Sequence, residues 1–279
     1  MRELDAEYIS GVVADMCVRA NLTLSPAMQG RIAAAGEAER SPLGKKVLGQ
    51  LMENMSIAEA ESIPICQDTG MAVFFVKVGQ DLHINGNLTA AINAGVRKGY
   101  KDGYLRKSVV GDPLIRVNTN DNTPAIIHYD IVPGDQLEIV VAPKGFGSEN
   151  MSRIYMLKPA DGMDGVRSAV METVQAAGPN ACPPFVVGVG IGGDFEMAAV
   201  LAKRALIREP GEASPLSHIA RLEAELLSAI NSLGIGPAGL GGAITALSVQ
   251  IETYPTHIAG LPVAVNMCCH VNRHVRMIL

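Results

Sequence analysis

The chain has 279 residues, 48% of them hydrophobic and 18% charged, enough apolar material to bury a large core in one domain or in two intimate ones. A formal net charge of -5, from 23 Lys and Arg against 28 Asp and Glu with no long run of one sign, excludes the electrostatic footprint of a nucleic-acid or anionic-membrane binder. The start MRELDAEYIS lacks an apolar leader core, and no apolar stretch of about eighteen residues occurs, so neither a signal peptide nor a membrane span is expected and the predicted location is the cytoplasm.

In chain order, LDAEYISGVVADMCVRA carries apolar positions at helical spacing, and Ser41-Pro42 supplies an N-cap and first-turn proline for a helix through Met55. MAVFFVKV, β-branched and aromatic, reads as a strand entered from Cys66-Gln67-Asp68-Thr69-Gly70, and NLTAAINAGVRKGYKDGYLR reads as a helix. Residues 124–142 form two β-rich runs joined by Pro133-Gly134-Asp135, the pattern of an antiparallel hairpin. KGFGSENMS is a glycine-bearing loop; Asp161 caps a helix to Ala177; FVVGVG is a strand and FEMAAVLAKRAL a helix. Ser214-Pro215 starts a helix that ends near Gly234, and ITALSVQIE and LPVAVNM are two further strands. A helical first third followed by mixed strands predicts an α+β (mixed α/β) fold with an antiparallel hairpin, read as a single domain over residues 1–279 with no repeat or linker. Aromatics are only 4% and Trp is absent, which calls either for a core of small residues or for a broad face covered by another subunit.

Gly188, Gly190 and Gly193 satisfy GxGxxG between a strand and a helix, the setting of a dinucleotide fingerprint. The helix then runs into IREPGEASP rather than into a second strand ending in an acidic residue, so the glycines read better as points of close backbone approach. The helix start near Asp194 still offers N–H groups to an anion. A non-catalytic anion- or nucleotide-binding assembly protein is therefore one reading of the chain.

In a reducing compartment the five cysteines, Cys17, Cys66, Cys182, Cys268 and Cys269, are buried hydrophobes, nucleophiles or metal ligands rather than disulfides. Cys17 lies within a helical run and reads as core. Cys66, Cys182 and Cys269 occupy turn-like or strand-end contexts, and no zinc-finger spacing relates them. Three thiolates leave one iron of a [4Fe–4S] cluster open, an arrangement for catalysis rather than electron transfer.

PICQDTG, YLRKSVV, GFGSENMSRIYMLKPADG, NACPPFVVGVGIGG and THIAGLPVAVNMCCHVNRH together resemble the cluster-binding half of the class I, iron-sulfur-dependent fumarate hydratases and the related tartrate dehydratase alpha subunit. The resemblance spans nearly the whole chain and implies an alpha subunit that works with a beta subunit, in an assembly of two copies of each. It implies a [4Fe–4S] cluster on Cys66, Cys182 and one of the adjacent pair Cys268 and Cys269. Cys269 is preferred because Arg273 follows it by four residues, as in the family's last motif.

By the same resemblance Asp68 handles the proton of bound water, Gln67 orients the substrate, Arg106 pairs with a substrate carboxylate, Gly147 offers its backbone N–H, and His257 is a polar contact of the site. Read without the resemblance, Asp68 is a turn former, Arg106 a solvated helix-end cation and His257 a structural loop residue. Lys144, Ser148 and Glu149 receive no role. The implied reaction is reversible hydration of fumarate to malate, favoured by GSENMS, with dehydration of L-tartrate as the alternative within the same class.

Overall fold

A computed structural model describes residues 2–279. The first half comprises β1 (Arg2–Asp5), α1 (Ala6–Leu22), α2 (Pro26–Ala38), α3 (Pro42–Glu61), β2 (Met71–Gly79), β3 (Leu82–Asn85), α4 (Leu88–Asp102), β4 (Ile126–Val132) and β5 (Leu137–Lys144). The remainder comprises α5 (Phe146–Glu149), β6 (Arg153–Leu157), α6 (Gly162–Ala177), β7 (Phe185–Gly193), α7 (Phe195–Ala205), α8 (Ser217–Asn231), β8 (Ala246–Thr256), β9 (Leu261–Cys268) and β10 (Val275–Ile278). The chain is α+β, with helices concentrated ahead of the sheets as its patterning predicts. Among the described residues, no helix is long and apolar enough to cross a membrane.

The described residues divide into two compact units, one of residues 2–24, 55–146 and 273–279, the other of residues 25–54 and 147–272. In the first, a four-stranded sheet has the order β10-β5-β2-β4, and a small parallel pair joins β1 to β3. α1 and α4 cover one face of the sheet, burying Ile9, Val13, Met16, Ile92 and Val96 against Phe74, Ile139 and Val141. The two helices cross closely because a Cβ on Gly95 or Gly99 would lie 2.6 Å from the carbonyl of Ser10 or Ala14. Small residues at this crossing let the two helices pack closely.

The expected hairpin over 124–142 is corrected by the pairing. β4 and β5 form where predicted, but β2 lies between them, parallel to β4 and antiparallel to β5. β2 is apolar and buried along most of its length, whereas β4 alternates exposed and half-buried positions, so the strand that buries both faces takes the centre. The 132–136 connection folds over the end of β2, where Gly79 N–H donates to Gln136 O at 2.8 Å and Asp81 N–H to Gly134 O at 2.9 Å. Only glycine fits at position 79, since a Cβ there would lie 2.4 Å from Gly134 O.

In the second unit the sheet order is β6-β9-β7-β8, with β7 parallel to β8 and antiparallel to β9. The plan matches that of the first sheet: a central strand, a parallel neighbour reached through helix, and an antiparallel neighbour on the other side, although no repeated sequence underlies it. α6 and α8 bury Val170, Leu222, Leu226 and Ile230 against Val187, Val189 and Val265 on one face of the sheet. α7 covers the other face through Ala198 and Ala202. The helix predicted from Ser214-Pro215 begins later, at Ser217, because Ser214 Oγ accepts Leu216 N–H in a turn ahead of the first helical residue.

Candidate active site

In the first unit, Cys66–Gly70 lies in the loop between α3 and β2, and the carbonyls of Asp68, Thr69 and Gly70 meet buried donors. Buried Arg273 donates to the Asp68 carbonyl, Tyr100 Oη lies 2.9 Å from Thr69 O and 3.1 Å from Gly70 O, and Asn122 Nδ2 donates to Gly70 O at 3.2 Å. Gly70 has φ +75°, and a Cβ there would lie 2.7 Å from the Lys144 backbone, so the turn requires glycine. The half-exposed Asp68 carboxylate accepts Gly70 N–H at 3.0 Å through Oδ1 and Phe146 N–H at 2.8 Å through Oδ2. Burial raises the Tyr100 hydroxyl's pKa, so it remains a donor.

Cys66 is half-buried and its Sγ lies 3.5 Å from Gln67 Oε1. The buried hydroxyl of Thr69 takes Arg106 N–H at 2.9 Å and reaches Arg106 O at 3.2 Å, which brings Arg106 to the same loop with its own residue exposed. The structure therefore gathers Cys66, Gln67, Asp68 and Arg106 in one neighbourhood. Arg106 lies beyond the helix rather than at its end, since α4 stops at Asp102.

In the second unit, Val186 pairs with Cys268 across the β7–β9 ladder, which sets Cys182 and Cys269 at the same end of the sheet. His270 Nδ1 lies 3.3 Å from Cys182 O. Cys182 is exposed on a left-handed residue (φ +53°), Cys269 is half-buried just past the strand, and Cys268 is buried within it. A hydrogen bond with the Cys268 thiol, and then burial, hold the Cys269 thiol well above its ordinary pKa. Cys17 is fully buried in the first unit, as its helical context predicts.

Gly147 has open space around its α-carbon, while the glycine packed on Asp68 is Gly145, whose added Cβ would meet Oδ2 at 3.0 Å. His257 follows β8 at the opposite end of the sheet from Cys182 and Cys269, beyond the full length of β9, a separation of roughly 25 Å at the usual rise per strand residue. It lies instead on the rim of an apolar cavity of about 420 Å³ lined by Met163, Val166, Ile219, Leu222 and Ile258. Among the described residues no group of three or more His, Cys, Asp or Glu side chains is placed to hold a metal ion.

Two polar constellations escaped the sequence. Glu39, 1% exposed, accepts N–H groups from Arg40, Ser41, Ala243 and Ile244 at 2.7–2.9 Å. Burial pushes its carboxyl up, but the four amides outweigh that and leave its pKa below the ordinary value. Glu149, to which sequence gave no role, pairs with Lys203 and accepts Asn266 Nδ2 at 2.7 Å, and Asn266 also donates to Ser152 Oγ at 2.7 Å. The glycine fingerprint resolves as close approach: a Cβ on Gly188 or Gly190 would lie 2.2 or 2.1 Å from the Ala202 or Ala198 carbonyl, and the Asp194 side chain caps α7 through Met197 N–H.

The described residues thus combine cysteines at turns and strand ends with a carboxylate, held by two backbone amides, two positions from one of them. The profile of the family described as "Fumarate hydratase (Fumerase)" matches residues 10–278, and the chain belongs to that family of hydro-lyases. It is 43% identical over 272 residues to the "Putative L(+)-tartrate dehydratase subunit alpha" of Methanocaldococcus jannaschii, covering 95% of each chain. It is 34% identical over 269 residues to the "L(+)-tartrate dehydratase subunit alpha" of Escherichia coli K12, covering 95% of this chain and 88% of that one.

Proposed function

We propose that the chain is the alpha subunit of an iron-sulfur hydro-lyase that interconverts fumarate and malate with a beta subunit. The observation that carries this reading is the Cys66–Gly70 loop, where a half-open thiol, a carboxylate pinned by two amides and an arginine tied through Thr69 stand together. Cys66, Cys182 and Cys269 are the proposed ligands of a [4Fe–4S] cluster. Their chemistry fits: all three are sulfur donors on half-buried or exposed residues, whereas Cys17 and Cys268 are buried. When bound, such a cluster supplies an iron with an open position, a Lewis acid for the hydroxyl oxygen.

The residues of the chain do the rest. Asp68 holds the proton of the water that is added or lost, its carboxylate pre-aimed by Gly70 and Phe146. Gln67, exposed beside it, orients the substrate. Arg106 binds a substrate carboxylate through its bidentate fork. Gly147 offers its N–H to a substrate oxygen. His257, at the far end of its sheet, reaches a centre held by Cys182 and Cys269 only from a second copy of the chain, which fits an assembly of two alpha and two beta subunits.

The names of the relatives support the beta partner, since they are called alpha subunits, and they favour a second reading in which L-tartrate is dehydrated. The proposed location is the cytoplasm. Anaerobic reconstitution with a beta partner, followed by assay of fumarate against tartrate, tests both readings: turnover of fumarate with slow or absent turnover of tartrate supports the first, the reverse supports the second, and full activity of the alpha chain alone overturns the two-subunit site.

A further inference from the structure

We propose that Arg273 and Tyr100 are positioning residues for Asp68: they clamp the backbone of the Cys66–Gly70 loop from beneath, so that the Asp68 carboxylate meets substrate in one fixed orientation. The proposal rests on the reading of Asp68 given above.

Three consecutive carbonyls, those of Asp68, Thr69 and Gly70, each receive a buried donor, and the donors come from three separate parts of the chain. Arg273 is 4% exposed and Tyr100 and Asn122 are 0% exposed. Arg273 bonds the Asp68 carbonyl and reaches Pro143 O at 3.5 Å, so one guanidinium spans the loop and the end of β5. The single hydroxyl proton of Tyr100 is shared between Thr69 O and Gly70 O. Asn122 is itself oriented by Ser108 N–H, which donates to its Oδ1 at 2.7 Å.

Loops of this size normally satisfy their carbonyls with water. Here all three are turned inward, and the carboxylate of Asp68 is then captured by the amides of Gly70 and Phe146. The charge of Arg273 is met by main-chain oxygens alone: among the described residues it has no ion pair, and its Nη1 is buried without a hydrogen-bond partner. A desolvated guanidinium in that state is a costly way to secure an ordinary turn. What it secures is the main chain of a carboxylate two residues from Cys66, and misplacing such a group by an ångström is the kind of error that lowers turnover more than binding.

The test uses the alpha-beta assembly reconstituted anaerobically, comparing wild type with Tyr100→Phe, Arg273→Lys and Arg273→Gln for kcat, KM, iron content and amide exchange of the 66–70 segment. Tyr100→Phe and Arg273→Gln are expected to lower kcat by about 10–100-fold while KM moves by less than about 3-fold and iron is retained, with Arg273→Lys recovering part of the loss. Exchange in 66–70 rises in the same order. Wild-type kcat in both Tyr100→Phe and Arg273→Gln, or a loss of kcat that merely tracks lost iron, overturns the proposal. Should the wild-type assembly hydrate or dehydrate neither substrate, the proposed function fails instead, and exchange still decides the clamp: unchanged protection of 66–70 in Tyr100→Phe overturns it.

Discussion

Val186 and Cys268 face each other across the antiparallel β7–β9 ladder, and that single pairing puts Cys182 and Cys269 at one end of the second unit's sheet. One thiol precedes the central strand and the other follows its neighbour, so residues 87 positions apart come to the same end of the sheet through register.

The ligand assignment makes a prediction within the cysteines. After anaerobic reconstitution, Cys66→Ser, Cys182→Ser and Cys269→Ser should lose the broad visible absorption and most of the iron, while Cys17→Ser and Cys268→Ser keep both. A full complement of iron in Cys269→Ser would falsify the choice of that residue over Cys268.

Cys17 offers a separate check on the first unit. Burial pushes its thiol up to about 12, and it is inaccessible between α1 and α4. At pH 8 it should resist alkylation in the native protein and react once denaturant exposes it. Mass spectrometry of alkylated peptides reads this directly, and rapid native labelling at Cys17 would mean that the α1–α4 contact opens readily.

Glu39 is a stability determinant in the second unit. Glu39→Gln replaces one acceptor oxygen with an amide that faces donors, at a cost of about 2–4 kcal/mol near neutral pH. The folded pKa of Glu39 lies below its unfolded value, so the stabilisation is complete above the unfolded value and fades as pH falls through the folded one. Denaturant titrations of wild type and Glu39→Gln should therefore converge on acidification. A constant difference from pH 7 to the acid limit would show that the effect is steric.

Gly190→Ala should destabilise the second unit by about 1–3 kcal/mol, because its Cβ would press on the Ala198 carbonyl and force α7 off the sheet. Gly147→Ala has open space and should leave the thermal midpoint within about a degree of wild type, as expected for a surface substitution of little energetic consequence. Loss of hydro-lyase activity in Gly147→Ala without loss of stability would then support the proposed contact of Gly147 with substrate.

Much of the secondary structure was legible. The apolar run MAVFFVKVG is β2, and Ser41-Pro42 does begin a helix, with Ser41 Oγ accepting Gly44 N–H at 3.2 Å. The hairpin failed because turn chemistry reports that the chain reverses, not which strand fills the space between the two arms. The glycine fingerprint was ambiguous for a similar reason. Strand, glycines and helix look alike locally whether the glycines admit a phosphate or the carbonyls of Ala198 and Ala202.

Sequence by itself determined the kinds of groups available: the α+β class, the cysteines at turns and strand ends, and the motif that joins Cys66 to Gln67 and Asp68. Tertiary structure alone decided how they are held. The donors to the Asp68, Thr69 and Gly70 carbonyls come from Arg273, Tyr100 and Asn122, and half of those that hold Glu39 come from the backbone of Ala243 and Ile244. Backbone amides and carbonyls are the same at every position, so a site built on them leaves no mark in the sequence until the fold brings the partners together.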